Sequence, residues 1–323
     1  MTKIYKSAII GCGNIAGNYD INVNSKYSFT HAGTYKKLKR VKLTAICDNN
    51  KSNLNLFKKK WKVHNTYLDF KKMLQKEEIE ILSICTPTNT HFDILNFAIS
   101  IKSLKAIFLE KPSTFNSKET LKIINKLKNK NIVVAVNYFR RWNKSFEKFK
   151  NEIIKKKINK LKKIQIYYTK GLYVSCSHQI DLMRFFFGEP KAIKVINKYN
   201  KKNNDMGVDF ELSFKNVDVN FVHLPNVKYV YFDITIFFDD IIYKISQRGQ
   251  KIIKYNAVKD KDFNVFNKIT KSSESNTEWK NCIINAVKEI LHSIDNGIVF
   301  SSSNLYNAYN NTKICEQIYN RSK

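Results

Sequence analysis

The chain has 323 residues, 43% of them hydrophobic, which suffices for about two domains of ordinary size. It carries 57 Lys and Arg against 27 Asp and Glu, a formal net charge of +30. No apolar run approaches the roughly 20 residues that cross a bilayer, and the amino-terminal stretch lacks a signal-peptide pattern, so we expect neither membrane insertion nor export.

The first element is an apolar strand, Ile4–Ile10, followed at once by the sequence GCGNIA at residues 11–16. This order fits the G-x-G-x-x-G/A loop that binds a dinucleotide. The first glycine permits a tight turn, the second lets backbone N–H groups approach a pyrophosphate, and the small Ala16 lets a helix pack on the strand. The residues expected to contact the cofactor here are Gly11, Gly13, Asn14 and Ile15.

A stretch at residues 18–30 interrupts the helix expected after this loop, and a helical pattern resumes at His31–Lys39. We interpret the stretch as a loop insertion near the cofactor site. The second strand, Val41–Cys47, ends at Asp48. An acidic residue there accepts hydrogen bonds from the adenosine ribose and favours NAD, although Asp48 also suits a helix N-cap. The nearby Lys51 could bind a 2′-phosphate, so NADP stays an alternative cofactor.

Up to residue 136, apolar strands alternate with helical segments, which predicts a doubly wound parallel sheet. The predicted helices are Lys51–Lys60, Phe70–Lys76, Phe92–Ile101 and Lys118–Asn129, and the further strands are Val63–Thr66, Ile79–Cys85, Ala106–Leu109 and Ile132–Val136.

The strand Ala106–Leu109 ends at a charged pair and a proline, Glu110, Lys111 and Pro112. Open α/β sheets bind their ligands at the carboxyl ends of their strands, so this strand delivers Lys111 to the expected ligand site. An ammonium there can hold or protonate a substrate oxygen. In a chain this rich in lysine, the alternative is an exposed side chain before a turn.

After residue 136 the pattern changes, and we predict a boundary between a dinucleotide-binding domain, 1–136, and a second domain, 137–323. The stretch 191–255 is mostly β without intervening helices, which indicates an antiparallel or mixed sheet. Residues 260–275 are predicted to form a polar loop, and two helices follow, Thr277–Ile294 and Asn304–Tyr319. As an alternative, the last helix, 304–320, could pack back on the first domain.

Four landmarks stand in order along almost the whole chain: GCGNIA at 11–16, Thr86-Pro87 with His91, Glu110-Lys111-Pro112, and His178-Gln-Ile-Asp181. With Asn137 and Arg140 between the last two, the chain resembles the Gfo/Idh/MocA family, which includes glucose–fructose oxidoreductase and inositol dehydrogenase.

The resemblance implies an α/β protein: an N-terminal Rossmann domain and a C-terminal α+β domain with a large open, mostly antiparallel sheet. It also implies that Lys111 touches both the nicotinamide ribose and the substrate hydroxyl, that the Lys111–Pro112 bond is often cis, and that Arg140 contacts substrate. The residues expected along the cofactor are Thr86, Pro87, His91, Glu110 and Asn137.

Hydride transfer between a carbinol carbon and a nicotinamide needs a proton acceptor for the substrate hydroxyl. An imidazole such as that of His178, with an ordinary pKa of about 6.5, can accept or donate this proton. Asp181 lies three residues further on, where it could orient the imidazole or pair with a neighbouring cation. Many family members carry an Asp four residues before this histidine, but here Val174 takes the position. Tyr173, a further candidate for substrate contact, or Ser175 could replace the missing carboxylate.

We therefore expect an NAD(P)-dependent enzyme, with NAD favoured, that interconverts a secondary alcohol and a ketone on a sugar, cyclitol or nucleotide sugar. The alternative is a dinucleotide-binding sensor or scaffold that has lost turnover, as Val174 suggests. Six scattered cysteines without a CxxC pair fit a cytoplasmic protein without zinc. The lysines are spread over the chain, so we expect no specific nucleic acid. The positive field favours an anionic small-molecule substrate. The resemblance implies that the second domain, 137–323, binds substrate and mediates oligomerisation, and we expect a homodimer or homotetramer.

Overall fold

The computed structural model describes residues 3–157, 160–199, 205–263, 265–299 and 301–322. The chain divides into two compact units. The first comprises residues 1–142 and 280–313, and the second comprises residues 143–279 and 314–323. Each unit has its own sheet and its own apolar core.

The first unit contains a six-stranded parallel sheet in the order β3-β2-β1-β4-β5-β6. The strands are β1 (Tyr5–Ile10), β2 (Val41–Cys47), β3 (Asn65–Tyr67), β4 (Ile81–Ile84), β5 (Ala106–Leu109) and β6 (Val133–Val136). Every residue of β4, β5 and β6 is buried, because helices cover both faces of a parallel sheet and its strands are continuously apolar. The strand order reverses between β1 and β4, which opens a crevice at the carboxyl edge. The predicted doubly wound sheet is confirmed.

Five helices connect these strands: α1 (His31–Lys37), α2 (Lys51–Trp61), α3 (Phe70–Lys76), α4 (His91–Ala98) and α5 (Ser117–Leu127). Four of them begin after a polar side chain that accepts a hydrogen bond from a backbone N–H of the first turn. These capping residues are Thr30, Asn50, Asp69 and Asn116.

The second unit contains an eight-stranded sheet in the order β14-β13-β12-β11-β7-β10-β9-β8. Only β7 and β10 pair in parallel, which confirms the mostly antiparallel sheet. Helices α6 (Lys144–Lys157) and α7 (Ser177–Phe187) share its core, and Phe149 of α6 packs on Phe186 of α7. The strands are β7 (Leu161–Tyr168), β8 (Ala192–Lys198), β9 (Val208–Ser213), β10 (Asp218–His223), β11 (Phe232–Phe238), β12 (Ile241–Ser246), β13 (Lys251–Lys259) and β14 (Asn267–Asn276).

The polar loop predicted at residues 260–275 is wrong, because most of it is strand β14. All ten residues of β14 are exposed, so the strand has no alternating apolar pattern that a sequence could reveal. Backbone pairing with β13 holds it, from Lys251 opposite Asn276 to Lys259 opposite Asn267. Residue 264 of the predicted loop and residues 200–204 of the predicted β stretch lie outside the described residues.

Two helices end the chain, α8 (Cys282–Asp295) and α9 (Leu305–Arg321). A short turn at Trp279–Asn281 precedes α8, which therefore begins later than the predicted helix at Thr277. The apolar face of α8 packs in the core of the first sheet, and Val136 N–H donates to the carbonyl of Ser303 at 2.7 Å along the edge of β6. Residues 280–313, which the sequence analysis placed in the second domain, thus belong to the first unit.

Candidate active site

The loop after β1 passes very close to the backbone that follows β4. Gly11 has a φ of +90°, and a Cβ there would lie 2.7 Å from the carbonyl carbon of Cys85. A Cβ on Gly13 would meet nothing within 4 Å. Gly11 therefore lets the two strand ends approach, whereas Gly13 leaves open space beside the backbone, where a phosphate group could bind.

Asp48 ties the end of β2 to this glycine loop. Its Oδ2 accepts the N–H of Cys12 at 2.7 Å, and its Oδ1 accepts the N–H of Asn50 at 2.8 Å. The cap of α2 is Asn50, so the interpretation of Asp48 as the helix cap is wrong. The carboxylate lies beside the glycine loop, as the predicted contact with an adenosine ribose requires.

The insertion after the glycine loop is folded around a buried carboxylate. Residues Asn14–Asn18 form a π-helical turn, on which Asn14 is exposed and Ile15 is half-buried. Asp20 then accepts hydrogen bonds from Ser28 Oγ at 2.7 Å and from Thr30 Oγ1 at 2.6 Å. The loop therefore has a defined conformation, and it leads directly into α1.

The loops after β4 and β5 are joined by the imidazole of His91. Its Nε2 lies 2.9 Å from the carbonyl oxygen of Thr86, and its Nδ1 lies 3.0 Å from that of Pro112. The Lys111–Pro112 bond is cis. The ring has no exposed surface, and burial lowers its pKa. His91 therefore positions the loops that carry Thr86, Pro87 and Lys111.

A chain of polar side chains that the sequence did not predict lies behind Glu110, at the end of β5. Asn137 Nδ2 donates to Glu110 Oε1 at 2.7 Å, and Nε2 of His31 lies 2.9 Å from the same oxygen. Beyond His31, Nδ1 lies 2.8 Å from Ser83 Oγ, which lies 2.6 Å from the hydroxyl of Tyr35. His31 opens α1, 79 positions before Glu110, and no local pattern signals their pairing.

The environment of Glu110 favours its charged form. Burial alone would raise the pKa of this carboxyl, but the hydrogen bond and charge of His31, then Asn137 and Lys111, lower it below the usual 4.5. Lys111 itself is half-buried at the same edge of the sheet.

Arg140, which was expected to contact substrate, is buried, with 5% of its surface exposed. Its guanidinium lies 4.7 Å from the centre of the Phe139 ring.

In the second unit, His178 is the second residue of α7 and is half-buried. Asp181 is buried one turn later, and its Oδ1 lies 3.6 Å from Nη1 of Arg184. Arg184 also binds Glu189, with Nη2 donating to Oε1 at 2.6 Å. Pairing with a neighbouring cation, one of the two roles considered for Asp181, is therefore supported by the contact with Arg184.

The segment before His178 is anchored by Asp205, a residue that the sequence analysis missed. Asp205 accepts the N–H of Tyr173 at 3.1 Å and the N–H of Val174 at 2.8 Å. Val174 is 57% exposed, whereas the Tyr173 ring packs against the apolar core, where burial raises its pKa. Tyr173 is therefore a poor proton donor at neutral pH. The fold brings the carboxylate of Asp205 to the backbone of Val174, although the two residues lie 31 positions apart in the sequence.

Val174 and Asp205 line a cleft of about 540 Å³ within the second unit. His223 lies in its wall, with Nε2 2.6 Å from the carbonyl oxygen of Lys170, and burial lowers its pKa. The wall offers hydroxyl, carboxylate and ammonium groups, which suit a polar ligand. Its main polar and aromatic residues are Lys170, Tyr199, Asp205, His223, Asn226 and Tyr229.

Two curated proteins similar to this chain are inositol dehydrogenases. The myo-inositol 2-dehydrogenase of Thermotoga maritima is 24% identical over 173 residues, which are 49% of this chain and 51% of the relative. The scyllo-inositol 2-dehydrogenase (NAD(+)) of Bacillus subtilis is 27% identical over 135 residues, 36% of this chain and 38% of the relative. The chain thus spans about half the length of the first relative and less of the second.

Among solved structures, levoglucosan dehydrogenase in complex with NADH superposes with a TM-score of 0.80 at 15% identity, covering 99% of this chain and 97% of that one. At this identity the likeness shows the fold. Residues 5–138 match the model of the family described as "Oxidoreductase family, NAD-binding Rossmann fold" (GFO_IDH_MocA). Residues 5–138 are thus similar to the NAD-binding domain of the Gfo/Idh/MocA oxidoreductases, and over these residues the match confirms the resemblance stated from the motifs.

The residues of this domain fit NAD, the cofactor that the description of the matched family names. Gly13 leaves open space where a larger residue would fill the place of the phosphates, and Asp48 offers its carboxylate to a ribose. Within the described ranges, no group of three or more His, Cys, Asp or Glu side chains could hold a metal ion. The same part of the chain contains no helix that is both long and apolar enough to cross a membrane.

Lowering the pH from about 7 to about 5 is expected to destabilise the first unit through His91. Burial lowers the pKa of His91, so the unfolded chain binds a proton that the folded chain does not, and the free energy of unfolding falls as the pH drops below about 6.5. In urea unfolding across this pH range, His91→Asn should show a shallower pH dependence than the exposed-site control His64→Asn. Equal slopes in the two variants would contradict the assignment.

Proposed function

We propose that the chain is an NAD-dependent oxidoreductase that interconverts a secondary alcohol and a ketone on a sugar, a cyclitol or a nucleotide-activated sugar. The observation that carries the proposal is the carboxyl edge of the first sheet, where the glycine loop with its open space at Gly13 follows β1, Asp48 follows β2 and Lys111 follows β5. The similarity to two inositol dehydrogenases supports a polyhydroxylated substrate.

Oxidation of a secondary alcohol removes a hydride from the carbon and a proton from the oxygen. The chemistry that NAD supplies when bound is the gain or loss of that hydride. The protein must stabilise charge on the oxygen and move the proton. We assign the first task to the ammonium of Lys111 and the second to the imidazole of His178, which would return the proton in the reverse direction.

The cleft in the second unit supports the proposed substrate class. Asp205 and Tyr229 can bond to hydroxyl groups, and Lys170 adds a positive charge. The net charge of +30 favours an anionic substrate such as a nucleotide sugar, because it raises the local concentration of anions.

A second candidate, a sensor or scaffold that binds the dinucleotide without turnover, is favoured by Val174. This exposed side chain stands where many members of the family carry a carboxylate, and it can neither accept nor donate a proton. NADH binding without any turnover would support this candidate.

Titration calorimetry with NADH and NADPH tests the cofactor, and NADH absorbance with a panel of inositols, sugars and nucleotide sugars tests the reaction. We expect NADH to bind more tightly than NADPH and at least one panel member to be oxidised. Gly13→Leu is the matched control, because its side chain enters open space and should abolish NADH binding while leaving the fold intact. A wild-type chain that binds neither nucleotide would refute the proposed function.

A further inference from the structure

Three hydrogen bonds link Glu110 to buried side chains of the first unit. The carboxylate of Glu110 accepts, so Nε2 of the His31 imidazole, 2.9 Å away, carries the proton that it donates. Nδ1 of the ring lies 2.8 Å from Ser83 Oγ, which lies 2.6 Å from the hydroxyl of Tyr35. Each bond in such a chain polarises the next.

This chain of hydrogen bonds ends inside the protein. His31 and Ser83 have no exposed surface, and Tyr35 is 1% exposed. The ring of His31 is also packed on Phe108, with ring centres 4.4 Å apart. A path that carried protons to and from a substrate would have to reach water, and these side chains do not. The arrangement therefore fixes a charge and does not conduct protons.

Both donors to Glu110 use the same oxygen. His31 and Asn137 bond to Oε1, and across the described part of the chain no hydrogen bond to Oε2 occurs. The side chain of Glu110 keeps 12% of its surface exposed at the carboxyl edge of the sheet. Lys111 follows Glu110 directly at the same strand end, and its charge acts on this carboxyl.

We propose that His31 is a positioning residue of the active site, which holds the Glu110 carboxylate at the carboxyl edge of the sheet, where its negative charge acts on the neighbouring Lys111. Ser83 and Tyr35 act one step behind, because they fix the position and the plane of the ring. This inference rests on the proposed function of Lys111. None of the four landmark motifs includes His31.

The effect of His31 on the pKa of Glu110 can be measured without any ligand, by NMR titration of protein labelled with ¹³C-glutamate. The Glu110 signal is assigned by its loss in Glu110→Gln. We expect the Glu110 pKa to stay below 4.5 in the wild type and in His31→Gln, which keeps an N–H donor. In His31→Leu, burial should dominate and raise the pKa above that value.

Two further variants complete the titration. Ser83→Ala leaves the His31 donor to Glu110 but removes the bond that fixes the ring, so we expect a smaller rise in the Glu110 pKa. If His31→Leu does not fold, the rise in Ser83→Ala tests the role of His31 instead. His64→Leu removes an exposed histidine of the same unit and should change nothing. The other ionisable groups that act on or respond to Glu110 are Cys85, His91 and Lys111, and none of the variants alters them.

The role in catalysis has its own readout. With a substrate from the panel, kcat of His31→Leu should fall by about tenfold or more with KM little changed, since the lysine is misplaced by a fraction of an ångström. The acid limb of the kcat profile should also move to higher pH, which a purely structural defect would not cause. His31→Gln should restore most of both properties.

The outcomes separate the two proposals. An unchanged Glu110 titration in His31→Leu and Ser83→Ala would overturn the role of His31, whatever reaction the chain catalyses. A shifted Glu110 pKa in the variants of a protein that binds no NADH would overturn the proposed function, and with it the active-site role of His31. The effect of His31 on the Glu110 carboxylate would then still be established.

Discussion

Lys111→Ala is expected to lower turnover by about 10²–10⁴-fold while NADH binding largely survives. The ammonium is the group proposed to hold the substrate oxygen as its charge changes, and the loss of such a group costs this much in typical enzymes. The variant removes one charge from a half-buried position at the carboxyl edge and leaves the glycine loop and Asp48 untouched. Steady-state kinetics with a substrate from the panel and calorimetry with NADH measure the two effects separately.

The matched control is Lys118→Ala, which removes an exposed lysine from α5. It lowers the net charge by the same amount, so it tests whether the effect comes from the general positive field or from Lys111 itself. A near-normal rate in Lys111→Ala would remove this lysine from the mechanism. An equal loss in both variants would assign the effect to overall charge.

Gly11→Ala is expected to destabilise the first unit by at least about 2 kcal/mol. A non-glycine residue at φ of +90° costs about 1 kcal/mol or more, and a Cβ placed 2.7 Å from the carbonyl carbon of Cys85 adds an overpacking cost of similar or larger size. Because the clash is with backbone, no side-chain movement relieves it. Urea unfolding measures the change in the free energy of unfolding.

Gly297→Ala is the control for the backbone term alone. Gly297 lies in the same unit with a φ of +66°, and a Cβ there would meet nothing within 4 Å. We expect this variant to lose only the cost of the positive φ, so the difference between the two variants gives the cost of the clash. If Gly11→Ala were no less stable than Gly297→Ala, the close approach of the two strand ends would be refuted.

The first sheet was predictable because β4, β5 and β6 are almost wholly apolar and turn signals follow the strands. The run Ala106–Leu109 before Glu110-Lys111-Pro112 and the glycines after Ile10 both give local patterns of this kind. Strand β14 was not predictable, since all ten of its residues are exposed and its pairing with β13 is made by the backbone. A binary pattern cannot mark a strand that has no buried face.

In the candidate site, too, some residues could be predicted from local patterns and others could not. The glycine loop, Asp48 and Lys111 follow predicted strands, so their place at the sheet edge could be inferred from sequence order. His31 and Asp205 could not be found, because their roles depend on partners 79 and 31 positions away, respectively. Residues 280–313 were misplaced for a related reason: the packing of α8 on the first sheet is a long-range contact with no local signal.

The return of residues 280–313 to the first unit has a consequence for biosynthesis. A nascent chain contains all six strands of the first sheet once β6 has been translated, but Ile283, Val287 and Ile290 of α8 and the edge partner Ser303 follow only after most of the second unit. Until then, part of one face of the sheet lacks its cover and β6 presents an open edge to other chains. The interval of translation between these segments is therefore when the polypeptide depends most on chaperones to avoid aggregation.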